Sequence, residues 1–354
     1  MSTTVPSIAQ RVLKNTLFWP LMTLLVLVAI SSVVNPNFWH LQWREGHLYG
    51  SVIDILNRAS PLILVSLGMT LVIASRGIDI SVGAVVAISA SVAALMIGGT
   101  LVINNGVATH VSRFPMPIAI ICALAVASAC GLWNGLLVAR LGLQPIIATL
   151  ILMVAGRGIA QLLTGGQIIT IYYAPYFFVG NGFLLGLPFA LFIALAVYAV
   201  VHLAITRTAL GLFIQAIGIN PAAARLAGVR ERLITVCVYA FCGFTAGVAG
   251  LLISSNVKSA DGNNAGALLE LDAILAVTLG GTLLTGGRFS LAGSVIGALI
   301  IQTLTSMIYS MGVPPEINLV VKAVVVFVVM LVQSSEFRQA LRGWVVRPAA
   351  GAAR

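Results

Sequence analysis

The chain has 354 residues, of which 60% are hydrophobic and 8% carry a charged side chain. Water-soluble domains contain about 25% charged residues, so this composition excludes a soluble fold and predicts a protein that lies in lipid. The formal net charge is +10. The basic residues stand singly between apolar runs, which argues against a nucleic-acid partner and makes them useful for predicting membrane orientation.

Ten apolar segments approach the roughly 20 residues that a helix needs to cross a bilayer. In chain order they are 17–34, 55–74, 80–98, 116–139, 145–164, 188–206, 233–253, 272–285, 289–309 and 319–335. The first run exceeds the length of a signal-peptide core and no Ala-x-Ala site follows it, which indicates an uncleaved helix. The sequence therefore predicts an all-α polytopic membrane protein of about ten transmembrane helices, built as one domain over residues 1–354.

The distribution of Lys and Arg predicts which side each loop occupies. With a cytoplasmic N-terminus and ten alternating helices, 13 of the 19 Lys and Arg residues fall on the cytoplasmic side, four fall outside and two lie within helices (Arg157 and Lys322). The insertion machinery favours this bias. The count indicates that both termini are cytoplasmic and that the number of spans is even.

Charged residues near the second and third spans have structural and functional interpretations. Asp54 and Arg58 are four residues apart and are expected to pair on one helical face. Asp79 follows a turn and precedes an apolar helix, so we expect its carboxylate to accept hydrogen bonds from free backbone amides there. A direct contact between Asp79 and a substrate is the weaker alternative.

A weak internal repeat relates the two halves of the chain. The segment 67–71, Leu-Gly-Met-Thr-Leu, is followed by Gly77 and Gly83, and the segment 279–283, Leu-Gly-Gly-Thr-Leu, is followed by Gly287 and Gly293. Glycine-broken helices in symmetric positions often surround a transport path. Small residues also let neighbouring helices pack closely. The pattern supports the two interpretations about equally.

Arg157 stands in the middle of an apolar span, between two glycines. A charge within the bilayer is costly, and it marks either a functional site or an internal partner. We expect a buried structural pairing in preference to a place on a transport path.

The longest polar segment between spans is 207–232, on the predicted cytoplasmic side. Asn220 and Pro221 are suited to the cap and first position of a helix, and Gly228 is suited to end it. A short helix beneath a membrane domain is a form that a docking element takes. An interfacial loop without a partner is the alternative interpretation.

The predicted external loops carry most of the acids and several amides. Residues 258–272 include Asp261, Asn263, Asn264, Glu270 and Asp272. Glu45, Asp54 and Glu316 fall at the same interface in the ten-helix arrangement. An ordinary solvated loop and a docking surface for an external protein explain this composition equally well.

The cysteines and histidines are too dispersed to form a metal site. Cys122, Cys130, Cys237 and Cys242 lie in apolar stretches without a C-x-x-C pair, and we interpret them as small buried packing residues. The four histidines fall near helix ends or in loops. These patterns predict no metal, no cofactor and no catalytic residues.

Several stretches resemble the permease subunits of ATP-binding-cassette importers for ribose, galactose and galactofuranose. The matching stretches are 54–61 (DILNRASP), 77–83 (GIDISVG), 133–135 (WNG), 144–150 (QPIIATL), 263–266 (NNAG), 270–276 (ELDAILA) and 314–318 (PPEIN). The resemblance covers about residues 15–335 and is nearest to the galactofuranose branch. It implies a permease for a monosaccharide that receives sugar from a periplasmic binding protein, pairs with a second, identical or paralogous permease and docks on a cytoplasmic ATPase.

The resemblance also assigns roles to particular residues. The segment 207–232 is similar to the coupling loop of such permeases, and its matching positions are Gln215, Ala216, Gly218, Asn220, Ala223, Ala224, Arg225 and Gly228. Gln215 stands where many importers carry Glu, which removes one possible ion pair with the ATPase. For the sugar path we propose small and amide residues near Gly68, Asn134 and Gly280.

Two other functional classes compete with this interpretation. The chain has no G-x-x-x-x-G-K-[ST] motif, which fits a permease whose ATP is bound by a partner subunit. An ion-coupled secondary transporter would normally carry carboxylates inside its spans, whereas the acids here fall near helix ends or in loops. A membrane-embedded enzyme would need a nucleophile with its base or a metal cluster. The ATP-driven importer of the inner membrane is therefore the preferred interpretation, with the ion-coupled transporter as the alternative.

Overall fold

The computed structural model describes residues 17–44, 46–98, 100–104 and 107–333. Thirteen α-helices supply most of the regular structure in these ranges. They are α1 Phe18–Val34, α2 Ser51–Ala74, α3 Val82–Ile97, α4 Met116–Ala139, α5 Pro145–Thr164, α6 Ala174–Asn181, α7 Phe189–Arg207, α8 Leu210–Ile219, α9 Pro221–Leu226, α10 Glu231–Val257, α11 Leu269–Leu279, α12 Leu291–Ser310 and α13 Pro315–Gln333.

Six of these helices are long and apolar enough to cross a membrane, namely α2, α4, α5, α7, α10 and α12. The structure thus confirms an all-α membrane protein, whereas ten full spans are not confirmed. Helix α3 has 16 residues and α11 has 11. At 1.5 Å per residue, α11 extends only about 16 Å, roughly half of a hydrocarbon core. The eighth span was predicted at 272–285, but the helix ends at Leu279 because Gly280 and Gly281 begin a turn.

Helices α2 and α10 form the centre of the bundle and pack against each other; α10 also packs against α3 and α4, and α2 against α11 and α12. About 78% of the apolar window of α2 and 67% of that of α10 is buried, against 22% for α4 and 17% for α7. The peripheral helices instead expose large apolar side chains, as lipid-facing helices do. The spans therefore form two sets, a buried central set and an outer set that faces lipid.

Eight short strands form four antiparallel pairs at one end of the bundle. The pairs are β1 Gln42–Arg44 with β2 His47–Tyr49, β3 Thr100–Asn104 with β4 Val107–Val111, β5 Ile168–Thr170 with β8 Ser259–Asp261, and β6 Phe183–Leu184 with β7 Leu187–Pro188. Backbone bonds from Leu48 to Gly186 and from Tyr172 to Gly98 link their loops. We call this the strand end of the bundle.

The two repeat segments contact each other in the structure. Helices α2 and α3 flank one turn, α11 and α12 flank the other, and α2 packs against α12. The Thr70 hydroxyl donates a hydrogen bond of 2.7 Å to the Ser294 hydroxyl, and the Gly287 amide donates one of 2.9 Å to the Ala74 carbonyl. The repeat predicted from glycine spacing therefore corresponds to two hairpins that are joined directly.

The four cysteines have free thiols, and their environments differ. Cys242 is buried and Cys122 and Cys130 are half-buried, as expected for packing residues, but Cys237 is exposed. The prediction that all four are buried was wrong for Cys237, because its face of α10 points away from the bundle. Among the residues that the structure describes, no group of three or more His, Cys, Asp or Glu side chains could hold a metal ion.

Candidate functional site

A cavity of about 690 Å³ opens at the strand end, between α2, α10 and α12. This volume lies within the roughly 300–1,000 Å³ of small-molecule sites. Its lining is Ser51, Asp54, Asn57, Arg58, Pro61, Gly180, Ala190, Leu252, Ile253, Asn256, Val257, Gln302, Thr305, Ser306, Tyr309 and Ser310. We call it the outer cavity.

Amides and hydroxyls dominate the polar chemistry of the outer cavity. Within the described chain, the side chains of Asn57 and Gln302 have no hydrogen-bond partner, so both amides are free to bind a ligand. Pro61 lies one helical turn after Asn57 and has no N–H to donate to the Asn57 carbonyl, which leaves a backbone acceptor in the same wall. Such a surface suits a neutral polyhydroxylated solute, which presents many donors and acceptors and no charge.

Asp54 and Arg58 line the outer cavity but do not form the ion pair predicted from their spacing. The described residues hold two ion pairs, Arg225 with Glu231 and Lys322 with Asp272, and neither involves these side chains. Both Asp54 and Arg58 are exposed, so solvation competes with a surface pair that is worth little. The two charges remain separately available in the cavity.

Gly68 and Gly280, which were predicted near a path, lie in tight helix contacts. A Cβ on Gly68 would lie 2.3 Å from Thr245 Oγ1, and one on Gly280 would lie 2.3 Å from the carbonyl carbon of Gly293. Both glycines are buried, and neither lines the outer cavity. In this conformation they allow close packing, which was the alternative interpretation.

Asn134 belongs to a buried polar cluster with Asp79 and Ser81, away from the outer cavity. Its amide donates to Ser81 Oγ at 2.9 Å and to Asp79 Oδ1 at 3.4 Å. Asp79 Oδ1 also accepts from the Ser81 amide at 2.9 Å and from the Ser81 hydroxyl at 2.6 Å. Burial raises the pKa of the Asp79 carboxyl, although the hydrogen bonds from Ser81 and Asn134 oppose the rise. The carboxylate therefore organises the turn before α3 through Ser81, and the capping of the amides of α3 stays a prediction.

Arg157 contacts the backbone of the loop before α11. Its Nη1 donates to the Ala265 carbonyl at 2.7 Å and to the Gly262 carbonyl at 3.4 Å. The guanidinium thus has an internal partner, but that partner is a pair of backbone carbonyls and not a carboxylate. The contact fixes the loop 262–265 against the middle of α5.

The loop 258–272 is less available to an external protein than its composition indicates. Asn263 and Asn264 are exposed, but Glu270 is 4% exposed. Asp272 bonds to Lys322 on α13 at 2.6 Å. Desolvation acts to raise the pKa of Asp261, but bonds from the Asn264 side chain and the Asn263 backbone, with the charge of Arg157, lower it overall. The side chains of Glu45 and Glu316 lie outside the described residues.

The predicted docking segment lies at the opposite end of the bundle, before the first residue of α10. The Asn220 side chain accepts from the Ala223 amide at 3.1 Å, α9 begins at Pro221, and Gly228 has a φ of +84° just after the helix ends. These observations confirm the predicted cap, first position and stop. The left-handed backbone at Gly228 is strained for residues with a side chain.

The residues of this segment divide into a buried anchor and an exposed face. Gly218 and Ala224 are buried, and Gln215 and Ala216 are half-buried. Asn220, Ala223, Arg225 and Gly228 are exposed. Leu226, which the sequence reasoning did not single out, is 91% exposed at the end of α9. A large apolar side chain held in solvent on a short capped helix fits a surface that a partner covers.

The outer-cavity residues of α12 were also missed, although a signal was present. Gln302, Thr305, Ser306 and Tyr309 follow the spacing i, i+3, i+4, i+7 and lie on one face of a helix that is otherwise mostly apolar. Asn256 lies at the end of α10 and carries no comparable periodic signal. Its place in the cavity depends on how α10 packs against α2 and α6.

The fold and the two ends of the bundle define a multi-pass membrane permease, with a polar cavity at one end and a short capped helix at the other. A family model described as the permease component of branched-chain amino acid transport systems matches residues 51–330. The chain belongs to this family.

Named relatives match along almost the whole length of the chain. The galactofuranose transporter permease protein of Escherichia coli is 48% identical over 93% of this chain and 94% of its own length. The fructose import permease protein of Bifidobacterium longum is 39% identical, covering 92% of this chain and 89% of its own. The ribose import permease protein of Escherichia coli is 35% identical, covering 89% and 93% respectively. No solved structure is significantly similar to the chain.

Proposed function

We propose that the chain is the transmembrane permease subunit of an ATP-binding-cassette importer for a monosaccharide of the galactofuranose, galactose and ribose class. The outer cavity carries this proposal, because it offers unpaired amides, hydroxyls and a free backbone carbonyl to a neutral, hydroxyl-rich solute. The names of the three relatives point to the same class of cargo.

The proposed arrangement in the membrane follows the positive-inside rule. Ten membrane segments, of which α3 and α11 are short, would place both termini in the cytoplasm of a bacterial cell and the strand end outside its inner membrane. The whole chain, 1–354, then forms one permease domain with a coupling loop at 207–232. Of the terminal basic residues in the charge count, Arg11, Lys14, Arg338, Arg342, Arg347 and Arg354 lie outside the described part of the chain.

Three protein partners complete the proposed importer. A periplasmic sugar-binding protein would dock at the strand end and a second permease, identical or paralogous, would complete the path. A cytoplasmic ATPase would bind the exposed face of α9. The permease itself needs no cofactor in this scheme, since ATP is bound by the ATPase. The exposed Leu226 and the capped helix α9 support the last contact.

The path itself is proposed to begin in the outer cavity. Asn57 of α2 and Gln302 of α12 lie on its walls, and the two repeat hairpins meet below it through Thr70 and Ser294. In this conformation the path would depend only indirectly, through the packing of their helices, on Gly68, Asn134 and Gly280. Weak, distributed polar contacts would let a sugar pass without tight binding.

A branched-chain amino acid is the second candidate cargo, because the description of the matching family names such amino acids. The outer cavity offers an amino acid the charges of Asp54 and Arg58, but its free amides and hydroxyls favour a hydroxyl-rich sugar over an aliphatic side chain. An ion-coupled mechanism remains the alternative to ATP. It is weakened by Asp272, whose carboxylate is held by Lys322 and not left free for an ion.

Reconstituted transport tests the proposal. Liposomes holding the permease and its ATPase, supplied with the binding protein outside and ATP inside, are given labelled galactose, ribose or leucine. We expect uptake of a sugar that needs both ATP and the binding protein. Uptake of leucine would show that the cargo is an amino acid and not a sugar. Sugar uptake that follows a proton or sodium gradient without ATP would overturn the importer mechanism.

A further inference from the structure

A second large cavity lies at the end of the bundle opposite the strand end, in a cleft between the end of α4 and the start of α10. Its volume is about 700 Å³, and four of its lining residues are arginines: Arg140, Arg225, Arg230 and Arg232. We call it the arginine cleft. An adjoining cavity of about 350 Å³ shares three of these arginines and adds Arg76.

The positive charge of the arginine cleft is only partly balanced. Glu231 accepts hydrogen bonds of 3.0 Å and 2.6 Å from Nε and Nη2 of Arg225, so these two side chains neutralise each other. Within the described residues, the guanidiniums of Arg140, Arg230 and Arg232 have no carboxylate and no hydrogen-bond partner. Three unpaired guanidiniums around one concave site create a strong field for an anion, and their planar donors match phosphate oxygens.

The remaining wall of the arginine cleft is apolar. Leu136 on α4 and Leu233 and Val236 on α10 line it beside the arginines. Leu233 is 55% exposed, and Leu132, one turn before Leu136 on α4, is 42% exposed. Both helices are long and apolar enough to cross a membrane. The cleft therefore joins a cationic rim to a lipid-facing groove.

We propose that the arginine cleft binds the phosphate head group of an anionic phospholipid, with an acyl chain lying against the apolar wall between α4 and α10. Basic pockets between transmembrane helices on the cytoplasmic side are a known form of lipid site. A soluble phosphate would use the arginines but would leave Leu233 and Val236 in water. An acidic segment of the ATPase would likewise have no use for a groove that continues along two membrane helices.

The position of the cleft gives the lipid a structural consequence. Arg225 joins α9 to the start of α10 through Glu231, and the unpaired Arg230 and Arg232 flank Glu231, so a phosphate bound there would lie beside the contact that joins the proposed docking helix to the membrane domain. The proposal goes beyond sugar transport and does not depend on the identity of the cargo. It predicts that anionic lipid keeps α9 in place.

Native mass spectrometry of the detergent-purified permease tests the proposal. The probes are phosphatidylglycerol and the zwitterionic phosphatidylethanolamine. We expect the wild-type protein to retain phosphatidylglycerol in preference to phosphatidylethanolamine. A variant with Arg140→Gln, Arg230→Gln and Arg232→Gln should retain at least tenfold less phosphatidylglycerol. Arg207→Gln, at an exposed arginine of the same end outside the cleft, is the matched control and should retain the lipid.

Further measurements separate lipid binding from the binding of a soluble anion or of the ATPase. A variant with Lys at the three positions keeps the positive charge but loses the planar guanidinium groups. It should therefore retain an intermediate amount of phosphatidylglycerol. The same variant shows whether the fold tolerates substitution at these positions. Equal retention by the Gln variant and the wild type would overturn the proposal. Displacement of phosphatidylglycerol by millimolar inorganic phosphate would assign the site to a soluble anion. Loss of the ATPase from the complex, with lipid retention unchanged, would assign it to protein docking.

Discussion

Gly218 of α8 lies directly against Gly287 in the turn between α11 and α12. A Cβ on Gly218 would lie 2.3 Å from the Gly287 amide nitrogen and 2.0 Å from the carbonyl oxygen of Ala74, the last residue of α2. That carbonyl also accepts the hydrogen bond from Gly287. The docking segment therefore contacts both repeat hairpins at one point. Movement imposed on α8 and α9 by an ATPase would reach both halves of the permease there.

This contact predicts that Gly218→Ala is damaging despite its small size. The new methyl group would meet backbone atoms that cannot rotate away, and such overpacking costs about 1–3 kcal/mol. We expect a lower unfolding temperature of the purified permease and at least tenfold slower ATP-dependent uptake, with membrane insertion intact. Gly158→Ala in α5 is the control, because nothing lies within 4 Å of a Cβ at Gly158. Wild-type stability and uptake in Gly218→Ala would contradict the proposed coupling point.

The exposed face of α9 gives a second prediction. Leu226→Glu and Ala223→Glu place charge on a surface that we propose the ATPase covers, and neither side chain is buried in the permease alone. We expect co-purification of the ATPase to fall at least tenfold while the thermal stability of the permease is unchanged. Leu185→Glu is the matched control, since Leu185 is 85% exposed at the opposite end. Normal ATPase binding in both α9 variants would exclude this face as the docking site.

Cysteine labelling distinguishes the outer cavity from the buried position of Asn134. In a background without the four native cysteines, Asn57→Cys and Gln302→Cys should react with a small water-soluble thiol reagent because both positions line the cavity. A cysteine at Asn134 should be protected because this residue is buried; Gly68 and Gly280 stay unchanged because they leave no room for a cysteine side chain. The reaction rate at Asn57 and Gln302 should also change between nucleotide-free and ATP-bound complexes. Labelling of the cysteine at Asn134, with the cavity positions protected, would place the path beside that buried residue.

The ion pair of Lys322 with Asp272 gives a prediction about stability. The side chains are 13% and 24% exposed, so removing one partner leaves a charge in a poorly solvated place. Asp272→Asn or Lys322→Met alone should each cost about 1–3 kcal/mol of unfolding free energy. The double variant Asp272→Leu with Lys322→Met should recover most of the loss because it leaves no unpaired charge. Additive losses in a thermal-unfolding series would show that the two side chains do not interact.

Helices whose ends depend on local signals were predictable in detail. The predicted spans 116–139 and 145–164 coincide with α4 and α5, each of which has proline within its first two residues. The cap at Asn220 and the stop at Gly228 were predictable for the same reason, because a cap is decided by a few adjacent residues. The resemblance to sugar permeases also needed no coordinates, since short motifs in order are enough to recognise a family.

Positions that depend on distant contacts were not predictable. The prediction of an ion pair between Asp54 and Arg58 was wrong. Helical spacing brings two side chains near each other, but it does not decide whether solvent and a cavity separate them. The Lys322–Asp272 pair joins residues 50 apart, and no local pattern pointed to it. Local polarity indicated that Glu270 lies in an exposed loop, but it lies in the first turn of α11 and is buried by the packing of that helix.

The sequence by itself thus determined the solvent, the class of fold, the family and the short capped helix α9. Each of these follows from composition or from residues within a few positions of one another. Tertiary structure alone decided which polar residues share a cavity, because Asn57 and Gln302 lie on helices far apart in the chain. It also decided that Gly68 and Gly280 serve close packing. Whether a glycine faces a path or a neighbouring backbone depends on the rotation of its helix in the bundle, and an apolar span without a strong one-sided pattern does not encode that rotation.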